Sequence, residues 1–345
     1  MPTFIKPGFW EKTRKGYDHW LNLDLLIANN IPPIPPSSIA TLVNSLYSTN
    51  PNTSNFSTNG GVFFGLNAGS GAYNADNSSF IGQNSGLNAV FANNSIFIGN
   101  TAGFYASSSN NSNFLGQQAG YNAPNAQQSN FLGQQAGKNA TNSSNSNFLG
   151  LNSGNGATNA NGSNFLGASA GTNATNANNS NFFGSNAGFN ASTSNNSNFL
   201  GLNAGNLATN SSSSNFLGQQ AGAFATNADN SNFFGYRSGQ SATSANNSNF
   251  LGRDAGRSAT TANDSNFLGR EAGMNSTGNN VNAFGVQAHK GGTLSGQTVF
   301  SNTSLPSYAN RAAAVAAITV ALGAVAGNTY LYYNQTTFAI EGIRL

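Results

Sequence analysis

The chain has no cysteine and only two histidines, His19 and His289, among 345 residues. That excludes a disulfide scaffold, thiol chemistry and a Cys/His zinc cluster. Charge is almost as scarce. Asp, Glu, Lys and Arg make up 6% of the chain, against about 25% in an ordinary globular domain. Twelve basic residues against nine acidic ones are too thin a surplus for a nucleic-acid footprint, so no nucleic-acid partner is expected. The longest apolar run, 312–326, is Ala-rich and interrupted by Gly323, short of the ~20 residues a membrane span needs. The basic run Lys12, Arg14, Lys15 follows Phe9 and Trp10 and precedes no apolar stretch, so no secretory leader is expected.

What the chain does have is glycine and phenylalanine, 41 and 26 residues. Glycine never falls at every third position, which excludes collagen. So much Phe with so little charge argues against disorder.

A repeat organises both residues. The anchoring glycines Gly65, Gly82, Gly99 and onward to Gly269 recur at intervals of 17, giving thirteen copies without an insertion. A fourteenth, around Gly285, is one residue short. Two residues before each of the thirteen glycines stands Phe, and one before stands Leu, Ile or Phe. Three after comes Ala or Ser, four after another Gly, and seven after Ala (Ser276 in the last copy). The rest is mostly Asn, Ser, Thr and Gln.

Helical-hairpin repeats run about 33–47 residues, and these copies carry too much Asn, Ser and Gly for helix. The unit fits one coil of a parallel β-solenoid. A short strand is expected on Ser-Asn-Phe-Leu-Gly and a second around the later Ala-Thr. Turns are expected at Ala-Gly and at the Asn-rich end, with amides stacking between coils. Coils spaced about 4.8 Å apart make a rod on the order of 60 Å long.

Adjacent side chains on a strand point to opposite faces. Phe131 and Leu132 therefore fill a coil and face outward respectively, or the reverse. The same holds for Phe148 and Leu149, Phe165 and Leu166, and Phe199 and Leu200. One rank becomes an outward apolar ladder, and such patches mark interfaces. Several chains side by side would cover it, most simply as a parallel homotrimer. The alternative is a monomeric solenoid whose flattened core holds both side chains at a strand bend.

The repeated phrase Ser-Asn-Phe-Leu-Gly-x-x-Ala-Gly resembles the head repeat of trimeric autotransporter adhesins, the YadA-like heads. The resemblance covers about residues 61–290. It implies a parallel β-roll three chains wide, although those repeats are shorter and carry a smaller residue in place of Phe. An autotransporter would also need an export signal and a C-terminal barrel, and neither is recognisable here.

The flanks resemble those of phage fibre proteins, crAss-like phages among them. Residues 1–30 hold both Trp and a basic run. Phe4, Phe9, Trp10, Tyr17 and Trp20 are the candidates for docking on other virion proteins; a small capping subdomain is the other reading. Residues 31–60 open with IPPIPP and suit a semi-rigid linker. The repeat shaft covers 61–290. Residues 291–345 are expected to form a helix over 312–327 and a hairpin turning near 334–337, which caps the shaft, sets the trimer register or contacts a receptor.

Chemistry is thin along this shaft. Asp229, Arg237, Arg253, Asp254, Arg257, Asp264, Arg270 and Glu271 cluster late, and stacking would place Arg237, Asp254 and Glu271 in one surface rank. Asp254 and Glu271, a coil apart, have the spacing of a retaining glycosidase pair but no neighbouring aromatic or His to build a pocket. Three copies of His289 on a threefold axis would offer an ion site. The G-G-x-G-x-D calcium signature is missing. No enzyme activity, cofactor or metal is expected. The expected function is a homotrimeric phage fibre of the virion, assembled in the host cytoplasm, with a host-surface glycan or protein as its distal partner. The alternatives are a bacterial cell-surface adhesin fibre and an ice-binding solenoid with a regular Thr face.

Overall fold

A computed structural model describes residues 61–300, together with the backbone of three strands further on. The docking candidates Phe4, Phe9, Trp10, Tyr17 and Trp20, the 31–60 linker and the 312–327 helix lie outside the described residues.

Residues 61–300 form a parallel β-solenoid. One strand per coil, three residues long, builds a 15-stranded sheet in strict chain order, β1 (Val62–Phe64) to β15 (Thr298–Phe300). Every rung pairs in register, Phe131 opposite Phe148 and Leu132 opposite Leu149, for example. The last two steps are one residue shorter, pairing Asn266 with Asn282 and Asn282 with Thr298. Rung β15 was not visible as a repeat because Ser301 stands where the anchoring glycine should be. The expected second strand is present as single-residue parallel bridges, Thr141 to Thr158 to Thr175 and on to Thr260. No bridge joins Ser107 or Thr141 to Pro124, which has no N–H to donate. Fourteen steps of about 4.7 Å make a roll roughly 65 Å long.

The interior holds one large side chain per coil. From Phe80 to Phe267 each ring is fully buried. Between Phe97 and Phe250 successive rings lie nearly parallel, with centroids 4.7–4.8 Å apart. That is the offset-stacked geometry, favourable by about 0.5–1.5 kcal/mol per pair beyond burial. Around this spine lie alanines and serines, such as Ala136 and Ala140, with Val281 near its end. The buried serines are satisfied along the axis: Ser129 Oγ donates to the Ser143 carbonyl at 2.7 Å and accepts from the Ser146 N–H at 3.1 Å. No buried hydroxyl of this spine is left to carry a desolvation cost.

So tight a coil needs left-handed backbone at many points. In one coil Gln135, Asn139, Asn142 and Asn145 all have φ between 50° and 59°. Asn tolerates this region better than other side chains, which explains its abundance. Two glycines in each coil serve for a second reason. At Gly150 (φ 131°) a Cβ would sit 2.6 Å from the Gly167 carbonyl oxygen; at Gly154 (φ 63°) it would sit 2.3 Å from the Phe148 ring. The second glycine lets the ring lie flat on the backbone.

The degenerate coil exchanges these roles. Ala283 stands where the other coils have Phe, and His289 where they have the second glycine. His289 keeps the left-handed φ, 53°, and its Nδ1 lies 3.0 Å from the Oγ of buried Ser276. A small residue replacing a ring at one position is matched by a ring replacing glycine at the other.

Further on, β16 (Ser307–Tyr308) pairs parallel with β17 (Thr329–Asn334), which pairs antiparallel with β18 (Ala339–Arg344). Among the described residues there is no α-helix, and none is long and apolar enough to cross a membrane.

Candidate functional site

The strands decide which residues face out. In each triplet the middle residue points inward, so its two neighbours share the outer face of the sheet. Phe131, Phe148, Phe165 and Phe199 are fully buried. Leu132, Leu149, Leu166 and Leu200 all face outward, with Leu132 and Leu166 36% exposed. The flattened core that would hold both side chains is therefore not the packing of this chain.

The outer rank runs the whole length of the roll: Phe64, Ile81, Ile98, leucines with Phe183 and Phe234 among them, then Phe284 and Phe300. A second rank lies beside it, two residues earlier. This one is Val62, Ser79 and Ile96 in the first coils and Asn from Asn113 to Asn282. Between the two ranks lies a shallow groove lined by Ile96, Ile98, Leu115, Leu132, Leu149 and Leu166 with the asparagines, and it continues past Phe183 and Phe234 to Phe284.

The asparagine rank is chemically quiet. From Asn113 to Asn282 each Nδ2 donates to the Oδ1 of the next coil at 2.7–2.8 Å. Every interior amide in the rank therefore spends its carbonyl and one N–H within the chain. A polar group already bonded can be covered by an apolar partner at little cost, whereas an unbonded one cannot. The sequence predicts amide ladders on the turns, and this one lies on the strand instead. Its signal was the invariant parity of Asn with Leu on either side of Phe.

The late charges gather into short local contacts. Asp254, nearly buried, lies 3.2 Å from Arg253 Nε and 3.5 Å from Arg257 Nε. Arg237 donates to Gln220 Oε1 at 3.0 Å and lies over the Tyr236 ring, 4.7 Å from its centroid. Glu271 accepts from Lys290 and, at 2.9 Å, from Gln287. Each of the two carboxylates weighed as a catalytic pair is thus engaged by its own cation, in its own coil or the next.

Two groups near the C-terminal end of the roll give it a pH dependence. Hydrogen bonds from Lys290 and Gln287 hold the Glu271 carboxyl below its ordinary value. Burial holds the His289 imidazole below its own, against a backbone hydrogen bond involving Leu294. A group whose pKa is depressed on folding contributes stability that is present above its unfolded pKa and fades as pH falls through the folded one. Both therefore act in one direction: His289 first, below about 6.5, then Glu271, below about 4.3. We expect hydrogen-exchange protection in residues 271–292 to fall between pH 7 and pH 4, after correction for intrinsic rates, while the coils around Phe165 stay unchanged.

No protein-family model matches the chain, and a search of curated proteins finds no match.

Proposed function

We propose that the chain is the shaft-forming subunit of a homotrimeric fibre, of the kind a phage carries on its capsid or tail, which holds a rigid rod out toward a host surface. One observation carries the reading. The roll fills its own core with the Phe spine and still presents a full-length apolar rank outward beside a self-bonded amide rank. A second copy of the same chain repeats at the same pitch, so it matches this face rung for rung. Each outward leucine, about a third exposed, contributes about 0.5–1 kcal/mol when covered. Assignment to a virion rests on the resemblance of the repeat and of the flanks to fibre proteins, and docking through residues 1–30 belongs to the same reading.

Light scattering on the purified full chain tests it: a particle of three chains, each 35.4 kDa, is expected. A monomer at micromolar concentration would overturn the fibre. An adhesin fibre on a cell surface would share this architecture and differ in where it is found. The Thr rank, regular from Thr141 to Thr260 except for Ser192, favours the ice-binding reading, which thermal hysteresis would decide.

A further inference from the structure

One corner of the coil carries bulky side chains where the fold gains little from them. It is formed by the residues five and six positions after the anchoring glycine. The sixth position has left-handed backbone in every copy of the repeat, and Gly, Asn or Ser occupies it in most of them. Tyr105, Leu207 and Phe224 occupy it in three coils, with φ of 54°, 57° and 61°. Bulky side chains are costly in that region. They are also 51%, 40% and 51% exposed, so burial does not offset the strain. Strained and exposed apolar groups of this kind point to a ligand.

Two islands result. In the first, Phe104 and Tyr121 stack with centroids 5.0 Å apart, and Tyr105 stands edge-on to Phe104 at 85°. Lys138 lies 5.7 Å from the Tyr121 ring centroid and donates to Gln118 Oε1 at 2.9 Å. In the second, Leu207 and Phe224 follow Phe189, linked by the Leu207 N–H to the Phe189 carbonyl. The coils between them carry Asn, Thr and Gly at the corner, including Gly156 and the Asn173–Asn190 amide pair. From Tyr121 to Phe189 is four rungs, roughly 19 Å.

Each island is far too small for a protein partner, which needs about 800 Å² per side. We propose that this corner binds a linear, uncharged polysaccharide lying along the roll. The apolar faces of its sugar rings stack on Tyr121 and Phe189, the facing edges of the two islands, and its hydroxyl rims meet the amides and hydroxyls between; a longer chain reaches out to Tyr105 and Phe224, seven rungs or roughly 33 Å apart. Lys138 is the lone charge on the lane between the islands, and it is already engaged, hence a neutral ligand. The inference deepens the attachment role proposed above and does not depend on the trimer.

The test uses the full chain and five soluble probes: cellohexaose, laminarihexaose, maltohexaose, mannohexaose and chitohexaose. Binding is followed by saturation-transfer NMR and titration calorimetry. At least one hexasaccharide should bind, and its trisaccharide should bind at least about fivefold more weakly because it cannot reach both islands. Tyr121→Asn and Phe189→Asn should each weaken binding about fivefold or more, and the double variant should abolish it. Asn already occupies this position in neighbouring coils, so the variants keep the fold, which circular dichroism verifies. Failure of all five probes, or variants that bind like the parent, overturns the proposal. Light scattering on the same samples separates the two ideas: a trimer that binds no sugar removes only this inference, and a monomer that binds sugar removes only the fibre.

Discussion

Phe148→Ala should destabilise the roll by about 3–5 kcal/mol, at the upper end for a ring lost from a core. Three terms add. The ring is fully buried, it stacks on Phe131 and Phe165 at 4.7 Å on each side, and its neighbours are alanines and serines with no length to fill the hole. The flat seat on Gly154 would stay empty as well. A solenoid coil touches only the coils above and below, so the damage should not spread evenly. Hydrogen exchange should show lost protection in the coils from Phe131 to Phe165, with the coils around Phe233 spared. Denaturant unfolding should split into two transitions. A single transition within 1 kcal/mol of the parent would mean that the ring is not what fills the core.

The second large effect concerns assembly and leaves folding intact. Leu149→Asp with Leu166→Asp places two carboxylates on the outer face. Both positions point away from the spine, so circular dichroism should barely change, while the two carboxylates on paired rungs repel and should lower the stability of the single chain by about 1 kcal/mol. The trimer should not survive. Each leucine has only about a third of its surface left to cover, so two lost rungs remove about 1–2 kcal/mol per chain, and a carboxylate facing an apolar partner adds the larger, desolvation cost. A total of about three kcal/mol is more than a hundredfold in affinity. Light scattering should report monomers, while Asn179→Asp, on an exposed turn, should leave the trimer unchanged. A double-Asp variant that stays trimeric would place the interface on another face.

Most of the fold could be read from spacing alone. A 17-residue period with fixed Phe and Gly leaves little choice but a stacked coil, and strand parity alone says that Phe and Leu part company. Parity does not say which goes inside. That depends on the second glycine: its missing Cβ makes room for a ring at Phe131 or Phe148, and only the three-dimensional path brings the two together. Rung β15 was hidden because its glycine is replaced by Ser301, so the count stopped early. The His289 and Ala283 exchange was hidden because both positions of one copy depart from the pattern together. Each looks like decay of the pattern until the His289 ring is found against buried Ser276. The corner aromatics were visible as letters, but their strain was not, since nothing in the sequence states that Tyr105 and Phe224 must adopt left-handed backbone.

The strand amides all donate the same way, from Asn113 forward to Asn282, whereas backbone hydrogen bonds between coils run both up and down the axis, more of them toward the lower-numbered coil. A one-way file of dipoles polarises itself, each link strengthening the next. The shaft is therefore vectorial in an electrical sense, with an acceptor left over at one limit of the file and donors at the other. A rod of this kind has a front and a back before any anchor or tip is attached to it.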